Sequence, residues 1–137
     1  MFLLFYFHST TMSYTVRQKL LDSIPFSLTP SQVAATDEIT ADLASDQRMH
    51  RLLQGDVGSG KTLVALLAMA AAIEAGHQAA LLAPTEILAR QHFATIEPLA
   101  RAAGISIQLY TGRDKGPARA AILEGFKTGS TQLAVGT

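Results

Sequence analysis

Apolar positions recur at helical spacing in four stretches of the chain, and short apolar runs lie between them. Val16, Leu20 and Ile24 fall three to four residues apart, which predicts a short helix over about Ser13 to Ile24. Pro25 stops it, because proline disfavours the α region in the residue before it. Thr29-Pro30-Ser31-Gln32 then reads as a helix start, with Thr29 as cap, Pro30 in the first turn and Gln32 completing a capping box. The predicted helix runs to about Ala44 with Val33, Thr36, Ile39 and Leu43 as its inner stripe. A third helix, Lys61 to Ala75, is alanine-rich and apolar nearly all round, so it should be covered on more than one side. Gly76 is a fitting stop for it. Two more helices are expected, from Glu86 to about Ala102 and from Gly116-Pro117 to Lys127, closed by Gly104 and Gly129.

Between these helices lie four predicted strands: Arg48 to Gln54, Gln78 to Ala83, Ile105 to Tyr110 and Thr131 to Val135. Strand and helix alternate with short loops, the pattern of parallel strands joined by right-handed crossovers. The expected fold class is therefore α/β with a mainly parallel sheet. A sheet that ends on an unpaired apolar strand would also be an aggregation hazard.

Composition narrows the class further. The 137 residues allow one domain, able to bury roughly two thirds of its unfolded surface. A hydrophobic fraction of 48% with 11 basic and 11 acidic residues excludes disorder for most of the chain. Without cysteine there is no disulfide framework. Neutral charge gives no sign of a basic nucleic-acid module, although contact through backbone amides and a few placed side chains remains open. The apolar run Met1 to Phe7 is far short of the roughly 18 to 20 residues a membrane helix needs. It also lacks the charged start of a signal peptide. The expectation is a cytoplasmic protein without membrane contact, with residues 1–19 as a poorly ordered tail or lead-in to a domain over residues 20–137.

One loop carries chemistry. Gly55-Asp56-Val57-Gly58-Ser59-Gly60-Lys61-Thr62 fits G-x-x-x-x-G-K-[ST] at every fixed position, a coincidence expected by chance in well under about one chain in a hundred of this length. Glycines let backbone N–H groups turn inward onto phosphate oxygens. The helix starting near Lys61 adds the partial positive charge of its N-terminus. Lys61 is expected to reach the β- and γ-phosphates of ATP, and the Thr62 hydroxyl to ligate Mg²⁺. Asp56 reads as a solvated loop residue or a helix-end interaction, with no role as a catalytic acid. Hydrolysis needs a further carboxylate at a strand end. The only Asp-Glu pair, Asp37-Glu38, falls inside a predicted helix and reads as a solvated face. His50, His77 and His92 lack metal-ligand spacing. Phe93, Ile96 and Leu99 form a core stripe.

Taken in order, the stretches Pro25 to Gln32, Leu53 to Thr62, Ala83 to His92 (APTEILARQH), Tyr110-Thr111-Gly112 and Val135-Gly136-Thr137 resemble successive motifs of superfamily 2 helicases, and most closely their RecG-like branch. The branches that couple transcription to repair or restart primosomes are similar. The resemblance covers about Leu20 to Thr137. It implies a P-loop, RecA-like three-layer sandwich of which this chain is the incomplete, N-terminal part of a first motor domain. It implies ATP and Mg as cofactors, branched or forked DNA as partner, a monomer, and little turnover by this chain alone. Gln32 would contact the adenine, with Phe26 near the base. Pro84, Thr85, Arg90, Gln91, Thr111, Gly112 and Thr137 would lie at the DNA-facing edge. Two other functions stay open on the residues themselves. One is a different P-loop enzyme, such as a small kinase or transport ATPase; the other is a nucleotide-binding chain without turnover.

Overall fold

A computed structural model describes residues 15–137. The element order is α1 (Thr15–Ser23), α2 (Pro30–Leu43), α3 (Lys61–Glu74), β1 (Ala79–Leu82), α4 (Glu86–Ala102), β2 (Ile107–Tyr110), α5 (Gly116–Thr128) and β3 (Leu133–Gly136). The strands form one parallel sheet in the order β1-β3-β2. Leu133 sits opposite Ala79 on one side and Ile107 on the other; Gly136 sits opposite Leu82 and Tyr110. The expected α/β class with a parallel sheet is what is observed. The chain steps outward from β1 to β2 and then back to β3. Right-handed crossovers therefore set α4 and α5 on opposite faces of the sheet.

The core follows from α3. From Val64 to Ile73 every residue of this helix is buried. A helix apolar on all sides is stable only when neighbours cover it all round. Here β1 and α4 meet it on one side, and α1 and α2 lie against it elsewhere. Leu81, Leu133 and Val135 of the sheet and Ile96 and Ala100 of α4 are fully buried in the same cluster. Phe93 and Leu99 pack against that cluster, as the expected stripe requires. The α4 helix continues through Pro98 without breaking.

Local signals set the helix ends. Thr29 caps α2 and Gln32 returns the bond, as the capping box predicts. Thr85 caps α4. Gly76, Gly104 and Gly129 take positive φ just beyond α3, α4 and α5, a conformation that costs glycine no Cβ clash. The N-terminus of α1 is closed differently. The amides of Val16 and Arg17 donate to Glu74 Oε1, at the far end of α3, at 2.5 and 3.0 Å. That bond draws residues 15–19 into the folded unit, so the folded part begins before residue 20. The rest of the expected tail, residues 1–14, lies outside the described residues, and the Met1 to Phe7 run with it.

Two expectations are corrected. Arg48 to Gln54 forms no strand. Among the described residues no strand lies beside it to share a ladder, and a strand exists only by pairing. The segment is held instead by Arg51, which bonds Asp42 at 2.7 Å and Glu38 at 2.6 Å on α2. Val33 is 42% exposed and outside the core stripe. It lies in the first turn of α2, which overhangs the loop at Ser59, and burial begins one turn later at Thr36.

Among the described residues no helix is long and apolar enough to cross a membrane. Since α3 is enclosed on all sides, Leu67→Ala should leave a cavity that its neighbours cannot close. The expected loss is about 3 kcal/mol of unfolding free energy, measured by denaturant titration.

Candidate functional site

The loop from Gly55 to Gly60 leads directly into α3, and its shape follows from two left-handed glycines. Gly58 has φ +81° and Gly60 has φ +82°. A side chain at Gly60 would also run into the Gln32 amide nitrogen, and one at Gly55 would come within 2.7 Å of Ser59 Oγ. Ser59 N–H turns back to Asp56 O at 3.1 Å. Of the three helix starts in the half of the chain around this loop, only that of α3 stays open. Glu74 closes α1 and Thr29 closes α2, whereas Gly60 has no side chain to cap α3. The first bonds of α3 run from Leu63 and Val64 to Gly60 O. Helix geometry gives the amides of Lys61 and Thr62 no intrahelical acceptor. They therefore sit at the positive end of a 14-residue helix whose body is buried.

Lys61 folds over this loop. Its ammonium donates to Gly55 O at 2.6 Å and to Asp56 O at 2.7 Å. The cation is thus held within the loop's own curve by two carbonyls, and an anion arriving there meets a charge already in position. Val57 is fully exposed at the tip. Asp56 is exposed too, and its carbonyl is what Lys61 uses.

Gln32 makes one contact that the sequence predicts and one that it does not. Its Oε1 accepts from Thr29 N–H at 2.9 Å, the return half of the capping box. Its Nε2 donates to Ser59 O at 3.0 Å. One amide group thus closes α2 and braces the phosphate-type loop. It keeps a second N–H and a lone pair for other partners. Phe26, before the same helix, is 61% exposed.

The acidic residues of α2 are engaged elsewhere. Asp37 pairs with Arg17 at 3.4 Å, and Glu38 and Asp42 pair with Arg51. Hydrogen bonds from Arg51 to Asp42, and then to Glu38, raise the pKa of that guanidinium above its ordinary value. Arg51 stays charged at any physiological pH and keeps the lead-in to the loop tied to α2. The Asp37-Glu38 pair is the solvated face that its helical setting implies. No group of His, Cys, Asp and Glu that could hold a metal ion occurs among the described residues.

A second cluster lies where the parallel strands end. Pro84 and Thr85 follow β1, Thr111 and Gly112 follow β2, and Thr137 follows β3. Thr137 N–H donates to Tyr110 O at 3.3 Å, which links the last two exits. Arg90 and Gln91 are exposed on the second turn of α4. Thr111 departs from expectation. It is 1% exposed, and Asp114 Oδ2 accepts from its amide at 2.7 Å and from its hydroxyl at 3.3 Å. Its side chain therefore shapes the loop from inside, while Gly112 and Arg113 form the outer surface. Sequence reading also passed over Glu86, Arg113 and Arg119. Glu86 Oε1 lies 2.9 Å from Arg90 Nη2 and 3.1 Å from Arg113 Nε. Arg119 stands over the Tyr110 ring at 5.0 Å. Arg90 could be paired with Glu86 from its i, i+4 spacing; the pairing with Arg113 spans two elements and leaves no local signal.

The DEAD/DEAH box helicase model matches residues 29–137 of this chain. Similar curated proteins include the ATP-dependent DNA helicase RecG of Borreliella burgdorferi, 46% identical over 126 residues, 92% of this chain and 18% of that protein. RecG of Escherichia coli is 46% identical over 133 residues, 96% of this chain and 19% of that protein. RecG of Streptococcus pneumoniae is 50% identical over 115 residues. A solved structure of RecG bound to a three-way DNA junction superposes with a TM-score of 0.83 at 36% identity, covering 94% of this chain and 18% of that one. The chain thus spans 17 to 19% of the length of these relatives.

The Gln32 brace and the Gly60 turn should be energetically coupled. Gly60→Ala should cost about 1–2 kcal/mol from left-handed strain alone, and more while Gln32 occupies the space its Cβ needs. On a Gln32→Ala background the excess should vanish. Denaturant titration of the wild type, both single variants and the double variant gives the coupling term, expected to be about 1 kcal/mol.

Proposed function

The chain belongs to the DEAD/DEAH box helicase family, and from that premise we propose that it is the ATP-binding part of an ATP-dependent DNA helicase that remodels branched DNA in recombination and repair. The observation that carries this reading is the open N-terminus of α3 with the Lys61 ammonium held over it. A buried helix that presents free amides and a cation at one end suits a polyphosphate.

The residues present fit Mg-ATP. A cradle that a Cβ would fill at Gly55 and Gly60 leaves the backbone free to approach phosphate oxygens. Lys61 would exchange the carbonyls of Gly55 and Asp56 for the β- and γ-phosphates, and the amides of Gly58, Gly60, Lys61 and Thr62 would line the same tail. The Thr62 hydroxyl would ligate Mg²⁺, which when bound neutralises charge on the phosphates. Gln32 offers its remaining N–H and lone pair to the adenine while it keeps the loop braced, and Phe26 lies before it near the base. Residues 20–137 act as the first part of a RecA-like motor domain, with Pro84, Thr85, Arg90, Gln91, Gly112 and Thr137 near the DNA backbone. Thr111 contributes by holding that loop in shape. Partnership with branched DNA draws support from the junction-bound RecG structure. A monomer working in the cytoplasm is the simplest setting for this machinery.

A second reading is favoured by one observation. The carboxylates of α2 are committed to arginines, and none of them stands at a strand end, where metal-assisted hydrolysis needs one. These 137 residues alone accordingly bind nucleotide and turn it over little or not at all. Helicase activity belongs to the intact protein.

Lys61→Ala in the intact protein should abolish DNA-stimulated ATP hydrolysis and weaken binding of a fluorescent ATP analogue at least tenfold. The protein should remain folded, because Lys61 contacts only exposed loop carbonyls. Near-normal turnover by that variant would overturn the assignment of the loop.

A further inference from the structure

At the strand-exit edge, N–H groups of two arginines converge on one carboxylate oxygen. Arg90 Nε donates to Glu86 Oε1 at 2.9 Å, with Arg90 Nη2 also at 2.9 Å, and Arg113 Nε lies 3.1 Å from the same atom. Arg90 comes from the next turn of α4, and Arg113 from the separate loop after β2. Two like charges gather at one oxygen only because the carboxylate between them offsets their repulsion. Glu86 in the first turn of α4 and Arg90 one turn later are a familiar helix pairing. That pairing leaves the recruitment of Arg113 unexplained.

The trio does not act as a fastening for the fold. The Arg90 and Arg113 side chains are 51% and 79% exposed, and ion pairs so open to water add little to stability. Lys115 and Arg119 nearby are exposed as well. Asp114 is turned inward to Thr111. Glu86 is thus the carboxylate that pairs with Arg90 and Arg113 at this edge.

Resting on the reading of this edge as the DNA face, we propose that Glu86 is an electrostatic restraint on DNA binding. In the DNA-free protein its carboxylate holds Arg90 and Arg113 together and cancels one of their two charges. A DNA phosphate takes its place as their partner. The guanidinium fork suits carboxylate and phosphate alike, so the exchange preserves hydrogen bonds and turns on charge. The restraint acts on any phosphate backbone regardless of base sequence. It favours release of the strand between cycles over tight holding.

The test uses the intact protein and a fluorescently labelled three-way DNA junction, titrated by anisotropy at several salt concentrations. Glu86→Gln keeps the size and polarity of the side chain and removes its charge. It should tighten binding roughly fivefold at low salt and steepen the slope of log K against log salt by about 0.7–0.9. ATP-analogue affinity without DNA should stay unchanged. Adding Arg113→Ala to Glu86→Gln should return both quantities toward wild type. Glu124→Gln removes an equal charge from the exposed Glu124–Lys127 pair on α5, and it should have no such effect. An equal rise with Glu124→Gln would overturn the restraint in favour of bulk charge. Unchanged or weaker binding by Glu86→Gln, with Arg90→Ala and Arg113→Ala each weakening it, would overturn the restraint while the DNA face stands. Indifference of the junction to both arginine variants would overturn the restraint and the DNA face together.

Discussion

The core of the described residues is arranged around a helix whose central turns have no polar side. From Val64 to Ile73, α3 offers water nothing, so its burial organises the other elements: sheet and α4 on one side, α1 and α2 on the others. A helix enclosed in this way has its axis fixed by packing at interior density. Its start is therefore fixed too, and the start is Lys61. The loop before it is exposed along most of its length. Its shape derives from the packed helix behind it, from the brace of Gln32 on Ser59 and from the bonds of Lys61 to its carbonyls.

The same burial explains why the loop is electrostatically ready. The partial charge at a helix end is screened where the helix is wet and persists where its body is dry. α3 has a dry body and an uncapped start. The Gly60 that leaves it uncapped also provides the left-handed turn. Lys61 meanwhile satisfies its ammonium on two loop carbonyls. Neither bond is buried, so each exchanges readily for a stronger anionic partner.

Features carried by neighbouring residues were legible in the sequence. The capping box at Thr29 and Gln32, the glycine stops at 76, 104 and 129 and the P-loop spacing all depend on groups within a few residues. The all-round apolar run of α3 announced its own burial. What escaped was non-local. The expected strand from Arg48 to Gln54 fails because a short apolar run does not supply the neighbour a ladder requires. Glu74 caps α1 across 58 positions, and no spacing rule reaches that far. Thr111 is the local exception, turned inward by Asp114 only three residues on. Gln32 was read for the cap and for a base; its third partner, Ser59, becomes visible only when α2 is laid over the loop.

Chain direction makes one edge of the sheet the working edge. All three strands run the same way, so Pro84, Thr111 and Thr137 emerge together. Only four residues separate the end of α3 from the start of β1, so α3 runs back against its strand. Its 14 residues span roughly 21 Å at the helical rise, which returns Lys61 to the edge where the strands finish. Open parallel sheets bind ligands outside the carboxyl ends of their strands for this geometric reason. The phosphate-type loop and the arginine-bearing exits therefore share an edge without any residue being selected to bring them there. On the proposed reading, nucleotide and DNA would both be met at the edge where the parallel strands finish.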